Sequence, residues 1–145
     1  MTQSLQRMQT FTGYNVRRAY TRFTRIFSKI GKRFDIKSQQ STILSCAALE
    51  PGVFPADIAQ VHSMERSLVT ALVNDLESKG LVERRGDGED KRRRGLFITP
   101  AGEQFRQELM QVLRDEFEPE INHNLTQDEV QELNRLLVKM YGGDE

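Results

Sequence analysis

A chain of 145 residues has the length of one domain, or of one domain plus an interface. With 37% hydrophobic and 29% charged residues it fits a soluble folded chain; no apolar run approaches the ~20 residues that span a bilayer, and no membrane partner is expected. The zero net charge hides a split: residues 1–100 hold 17 Lys and Arg against 10 Asp and Glu, whereas residues 101–145 hold 4 against 11. Such asymmetry suggests one part facing nucleic acid and another turned away from it.

Residues 4–31 read as one long helix. Val16, Ala19, Tyr20, Phe23, Ile26, Phe27 and Ile30 recur at steps of three and four, and Leu5, Met8 and Phe11 extend the stripe upstream. So large a stripe exceeds what a small module can bury alone, and a partner chain or the C-terminal helices are expected to cover it. The polar stretch 32–37 leads to Ser38, expected as the N-cap of a helix over 39–49. Glu50-Pro51-Gly52 breaks that helix, since proline disfavours helix at the residue before it. Pro55 then opens a short helix, PADIAQV, and 62–64 is the turn into the next one.

The organising stretch follows. Leu68, Val69, Leu72, Val73 and Leu76 form an apolar stripe, while Arg66, Ser67, Thr70, Asn74 and Ser78 fall mainly on the other side. Gly80 stops the helix as a left-handed cap. Two strand-like runs, Leu81–Arg85 and Leu96–Thr99, flank GDGEDKRRRG, a glycine-bearing reversal whose tip carries Lys91, Arg92, Arg93 and Arg94. Two helices joined by a three-residue turn make a helix-turn-helix, whose second helix enters the major groove N-terminal end first. Arg66, Ser67, Thr70 and Asn74 are therefore the expected base- and phosphate-facing residues. A basic run is by itself usually a solvated loop; helix, glycine stop and basic hairpin in this order point to double-stranded DNA.

Thr99-Pro100 caps and opens a helix expected to run to about Glu118, where Pro119 ends or kinks it. Thr126 and Glu129 are placed for a capping box before the apolar face of Val130, Leu133, Leu136, Leu137 and Met140. Gly142 stops this last helix. The expected fold is thus mainly α with a small β-hairpin: a winged helix-turn-helix over 36–99, with dimerisation helices over 1–35 and 100–145, in a single domain.

Chemistry-bearing patterns are few. Cys46 is the one cysteine, so no internal disulfide forms, and it is expected to be a buried structural thiol. His62 and His123 lie far apart, and there is no Ser/His/Asp set, phosphate-cradling loop or metal-ligand spacing. Neither an enzyme, a metal nor a cofactor is expected. The N-terminus lacks the apolar core of a signal peptide, so a cytoplasmic location is expected.

SQQSTIL at 38–44, DLESKGLVERR at 75–85 and DKRRRGLFITPAG at 90–102 resemble the multiple-antibiotic-resistance regulator (MarR) family of bacterial transcription factors. The resemblance covers nearly the whole chain. It implies a homodimer held by the terminal helices, with a winged helix-turn-helix in each subunit, on a roughly palindromic operator. It implies that Asp90 orients the wing arginines and that Arg92 enters the minor groove. It also implies a repressor released by a small aromatic or phenolic ligand; a constitutive regulator without a ligand, or an activator, is the alternative. The sequence departs from the family at His62, where leucine is usual, and at Ser63, where the turn glycine is usual. His62 reads as a satisfied, partly buried group, or as one that lines the ligand pocket or senses pH. For the ligand itself, Arg17 or Arg18 would pair a carboxylate, and Tyr14 and Tyr20 would supply rings and hydroxyls; surface charges and interface aromatics are the plainer reading of the same residues.

Overall fold

The computed structural model describes residues 3–86 and 94–142. Its elements run α1 (Gln3–Met8), α2 (Thr12–Phe34), α3 (Ser38–Leu49), α4 (Pro55–Val61), α5 (Arg66–Ser78), β1 (Val82–Arg85), β2 (Gly95–Ile98), α6 (Pro100–Val112), a π-helical stretch (Leu113–Phe117), α7 (Glu118–Ile121) and α8 (Gln127–Tyr141). The chain is mainly helical with a two-stranded antiparallel hairpin. It forms two compact units, one of Phe27–Val112, the other of Met1–Ile26 with Leu113–Glu145.

The first unit holds the core. Ile43, Leu44 and Ala47 of α3, Ile58 and Ala59 of α4, and Val69, Leu72, Val73 and Leu76 of α5 are all buried. The stripe read from α5 is therefore the packing face, except for Leu68, which is 38% exposed at its edge. In the hairpin Val82 pairs with Ile98 and Arg85 with Gly95. Val53 adds an isolated bridge to Leu96 on the other side, with Gly52 N donating to Leu96 O at 2.9 Å and Leu96 N to Val53 O at 2.8 Å. Leu96 is fully buried as a result.

Several local expectations hold. Gly80 adopts φ +72°, the left-handed cap that a side chain would resist. Thr99 Oγ1 accepts from Gly102 N at 2.9 Å ahead of α6, which Pro100 opens. Thr126 and Glu129 close a reciprocal box, at 3.3 Å from Glu129 N to Thr126 Oγ1 and 2.7 Å from Thr126 N to Glu129 Oε2.

Others need correction. The N-terminal helix is two helices, because side chains claim the carbonyls that would have continued it. Thr10 Oγ1 donates to Arg7 O at 2.8 Å and Asn15 Nδ2 to Gln9 O at 2.8 Å. Ser38 is the first helical residue rather than the cap. Lys37 holds the cap position, and its N–H donates to the Gln40 Oε1 at 2.9 Å. The turn between α4 and α5 occupies 62–65, one residue more than expected, with Ser63 at φ +50°, the left-handed region a glycine enters without strain. The helix expected over 100–118 is α-helical only to Val112. Pro119 cannot donate, and its ring crowds the carbonyl four residues back, so the preceding turn widens into five π-helical residues.

In the second unit Phe23 meets Phe117 edge-to-face at 5.4 Å and stacks on Tyr20 at 6.0 Å. Arg22 Nη2 donates to Glu120 O at 2.5 Å. Of the long stripe, Ile26 is buried here, as are Phe27 and Ile30 in the first unit. Leu5, Met8, Phe11, Val16 and Tyr20 stay exposed, and so do Leu133, Leu136, Leu137, Val138 and Met140 of α8. No helix among the described residues is long and apolar enough to cross a membrane.

Candidate nucleic-acid interface

The outward side of α5 follows from its inward side. Once Val69, Leu72, Val73 and Leu76 face the core, the positions between them must face solvent. Arg66, Ser67, Thr70 and Asn74 are exposed. They share one open groove of about 590 Å³ with Pro55, Ala56 and Arg84. At a rise of ~1.5 Å per residue, Arg66 to Asn74 covers roughly 12 Å of helix, the length of three to four base-pair steps. Thr70 Oγ1 donates to Arg66 O at 3.0 Å, which leaves its oxygen lone pairs to accept from a ligand.

The C-terminal half of α5 is tied down by polar contacts on two sides. Gln40, the one buried polar residue in the described core, reaches it from α3: its Nε2 donates to Asp75 Oδ2 at 2.7 Å and to Leu72 O at 3.4 Å. Lys79 Nζ lies 2.9 Å from Asp75 Oδ2 and 3.2 Å from Asp35 Oδ2. Hydrogen bonds from Lys79 and then Gln40 hold the Asp75 carboxyl below the usual carboxylate range. From the hairpin side, Arg84 Nη1 donates to Glu77 Oε1 at 2.9 Å and its Nη2 to Asn74 Oδ1 at 2.9 Å. The Arg84 side chain is only 8% exposed.

Sequence reasoning passed over Arg84, though a signal was present. Alternation along β1 puts it on the same face as buried Val82, and an inward arginine requires a nearby carboxylate, which Glu77 supplies. Of the wing set, Arg94 is half-buried at the base of β2. Asp90, Lys91, Arg92 and Arg93 lie outside the described residues. Arg85 stands over the Phe97 ring at 4.7 Å and contacts Glu83.

The expected ligand residues divide. Tyr14 and Arg18 line one small pocket of about 170 Å³ with Leu5, Gln9 and Asn15. Arg18 also borders a second, of about 410 Å³, with Ala19, Thr21, Arg22 and Arg25. Arg17 is exposed on α2, and Tyr20, 60% exposed, is stacked on Phe23. His62 belongs to the other unit, at the C-cap of α4; it is exposed rather than packed, and its Nε2 lies 3.3 Å from Cys46 Sγ. Cys46 is half-buried, and burial followed by Glu50 pushes its thiol up, the opposite of an activated thiolate.

An exposed polar recognition-type helix, a helix preceding it across a tight turn and a hairpin beside it define a winged helix-turn-helix. A MarR family sequence profile matches residues 34–93. The chain is 28% identical over 116 residues to the multiple antibiotic resistance protein MarR of Escherichia coli K12, covering 80% of this chain and 81% of that one. A crystal structure of a mutant MarR from E. coli complexed with operator DNA superposes with a TM-score of 0.77 at 26% identity, over 88% of this chain and 91% of that one. The repressor CouR, bound to a 23-mer DNA duplex, shares the fold at a TM-score of 0.84 and 22% identity, over 92% and 94% of the two chains. The profile match and these likenesses support the MarR family of transcription regulators, a family of regulators and not of enzymes.

Proposed function

We propose that this chain is a sequence-specific DNA-binding transcription regulator that works as a homodimer, and that it is a repressor released from its operator by a small aromatic or phenolic ligand. The observation that carries the DNA-binding part is the single groove on which Arg66, Ser67, Thr70 and Asn74 converge. A relative of 26% identity over most of its length is known bound to operator DNA. In this reading α5 lies in the major groove, with Arg66 and Ser67 nearest the bases, while Lys91, Arg92, Arg93 and Arg94 meet the backbone and minor groove under the orienting influence of Asp90.

The dimer reading rests on the apolar residues that one chain leaves uncovered on α1, α2 and α8. Segments 1–35 and 100–145 then pair the subunits, and 36–99 reads DNA. Two reading heads must sit about one helical turn apart, roughly 34 Å. A ligand that prefers a dimer with displaced α5 helices weakens operator binding by that preference, typically ~1–3 kcal/mol. Tyr14 and Arg18 on one pocket favour a ring-bearing acid there, with Arg17 and Tyr20 of the same unit as the further candidates.

Operator selection from random duplexes, followed by salt titration, tests the first part. Binding should weaken steeply with salt; Arg92→Ala should weaken binding to most sequences and flatten that slope, and Ser67→Ala should alter sequence preference. Salt-insensitive binding, or no selected sequence, would refute it. For the ligand, dissociation of the complex by a panel of aromatic acids and their thioesters is the measurement. Arg17→Ala and Arg18→Ala variants that both respond like the parent would remove the assigned site.

A further inference from the structure

The contact between Arg84 and Asn74 decides what α5 offers to a duplex. A guanidinium has donors only, so the atom of Asn74 that faces it must be the carbonyl oxygen. The distance, 2.9 Å from Nη2 to Oδ1, is that of a charge-assisted bond. Arg84 is itself immobilised. Its Nη1 is held by Glu77 Oε1 at 2.9 Å, its backbone N–H donates to Glu77 Oε2 at 3.3 Å, and its backbone sits in the ladder opposite Leu96. The side chain is 8% exposed, and the guanidinium is engaged by Glu77 and Asn74 together. The remaining polar atom of Asn74 is Nδ2, on an exposed residue of the groove shared with Arg66, Ser67 and Thr70.

A free asparagine reads adenine by accepting from N6 and donating to N7 at once. That pairing needs the oxygen and the nitrogen to point at the base together. Here the oxygen is turned towards the hairpin root. What is left is an N–H₂ group, which suits an edge made of acceptors only. In the major groove guanine offers two such acceptors, N7 and O6, and thymine one, O4; on the backbone it is a phosphate oxygen.

Resting on the reading of α5 as the DNA-reading helix, we propose that Arg84 is a positioning residue that fixes Asn74 as a hydrogen-bond donor towards the duplex, so that Asn74 selects an acceptor and not the mixed edge of adenine. Specificity at this position is then set partly from within the wing strand, by a residue that itself hardly reaches solvent. Glu77 belongs to the same device, since it neutralises the buried guanidinium and sets its plane.

Selection from random duplexes with full-length wild type, Asn74→Ala, Arg84→Met, Arg84→Lys and Arg66→Ala tests this. If Asn74 meets a base, wild type prefers guanine over adenine on the order of tenfold at one position of each half-site. Asn74→Ala abolishes that preference, Arg84→Met brings adenine to within about twofold, and Arg84→Lys, which keeps a donor, restores guanine. If Asn74 meets a phosphate, Asn74→Ala weakens all sequences alike. One neutral methylphosphonate in the operator then erases the difference between Asn74→Ala and wild type, and Arg84→Met behaves as Asn74→Ala does. An adenine preference that Asn74→Ala removes overturns the proposal. So does an Arg84→Met variant with unchanged ranking and affinity, or an Asn74→Ala variant that changes nothing while Arg66→Ala still alters selection. Absence of any selected sequence in wild type overturns the assignment of α5 itself, which separates the two failures.

Discussion

Gly102→Ala should cost this protein about 3 kcal/mol, although alanine is the better helix former. Gly102 is buried in the first turn of α6. A Cβ there would overlap the Leu81 carbonyl oxygen and stand 2.8 Å from both Leu81 C and Ile98 Cγ1. Ordinary carbon contacts need ~3.5 Å or more, so α6 would have to retreat by something near an ångström. The groups that resist are backbone. Thr99 N donates to Leu81 O at 3.0 Å and Thr99 Oγ1 to Gly80 O at 2.6 Å, and a shift of that size breaks both. Two hydrogen bonds at ~1 kcal/mol each and overpacking at ~2 kcal/mol, less the ~1 kcal/mol that alanine gains in a helix, leave about 3 kcal/mol. With an unfolding entropy of ~2.1 cal/mol/K per residue over the chain, Tm should fall by roughly 10 °C. Thermal unfolding at one fixed protein concentration measures it, with Gly13→Ala as the control. No atom lies within 4 Å of a Cβ at Gly13, so that variant should hold or slightly raise Tm. A Gly102→Ala protein that melts within about 2 °C of wild type would refute the close approach of α6 to the start of β1.

Three further outcomes are expected. Gln40→Leu removes the acceptor for Lys37 N–H and the donor to Asp75 and Leu72, and should lower stability by about 2–3 kcal/mol in denaturant titration; an unchanged midpoint would mean the buried amide is dispensable. Asp75 has a folded-state pKa lowered by Lys79 and Gln40, and Glu103 one lowered to about 2 by Arg106 and Gln107. Their stabilisation is fully present above the unfolded carboxylate range and is lost as pH falls through the folded values, so Asp75→Asn should flatten the decline of Tm between about pH 5 and pH 3, as scanning calorimetry across that range would read. Leu133→Glu with Leu137→Glu places charge on the exposed face of α8 and should shift the species seen in sedimentation from dimer to monomer with little loss of helix; a protein that sediments as wild type would end the assignment of that face to dimerisation.

What was legible in the sequence was what short-range chemistry decides. The inward face of α5, the left-handed Gly80, the Thr99 cap and the Thr126–Glu129 box each depend on residues within a few positions of one another. The break between α1 and α2 was not legible, because it depends on whether Thr10 and Asn15 point back at carbonyls or out to water. Ser38 lost the cap because Gln40, drawn inwards by Asp75, brings its own oxygen to Lys37 N–H; that competition is settled 35 residues away. The approach of His62 to Cys46 and the burial of Arg84 are likewise tertiary. Of the candidate site, the four groove residues of α5 could be named from spacing alone, while the residue that orients one of them could not.

The two halves of α5 are used differently, and that division explains how an acidic stretch can sit beside a polyanion. Asp75 and Glu77 lie one turn or less from Asn74, and two bare carboxylates there would repel phosphate. Each is instead spent on a cation within the same unit, Asp75 on Lys79 and Glu77 on Arg84. The pairings do structural work at the same time, since one links α5 towards Asp35 and Gln40 and the other towards the hairpin. The C-terminal half of the helix is thereby neutral and anchored on two sides. The N-terminal half keeps Arg66, Ser67 and Thr70 on the surface. Removing one anchor should accordingly change more than stability: Glu77→Gln leaves Arg84 with a weaker partner and more freedom, and base selection at the Asn74 position should relax while selection at the Arg66 end persists. Equal relaxation at both ends would show instead that α5 moves as a whole.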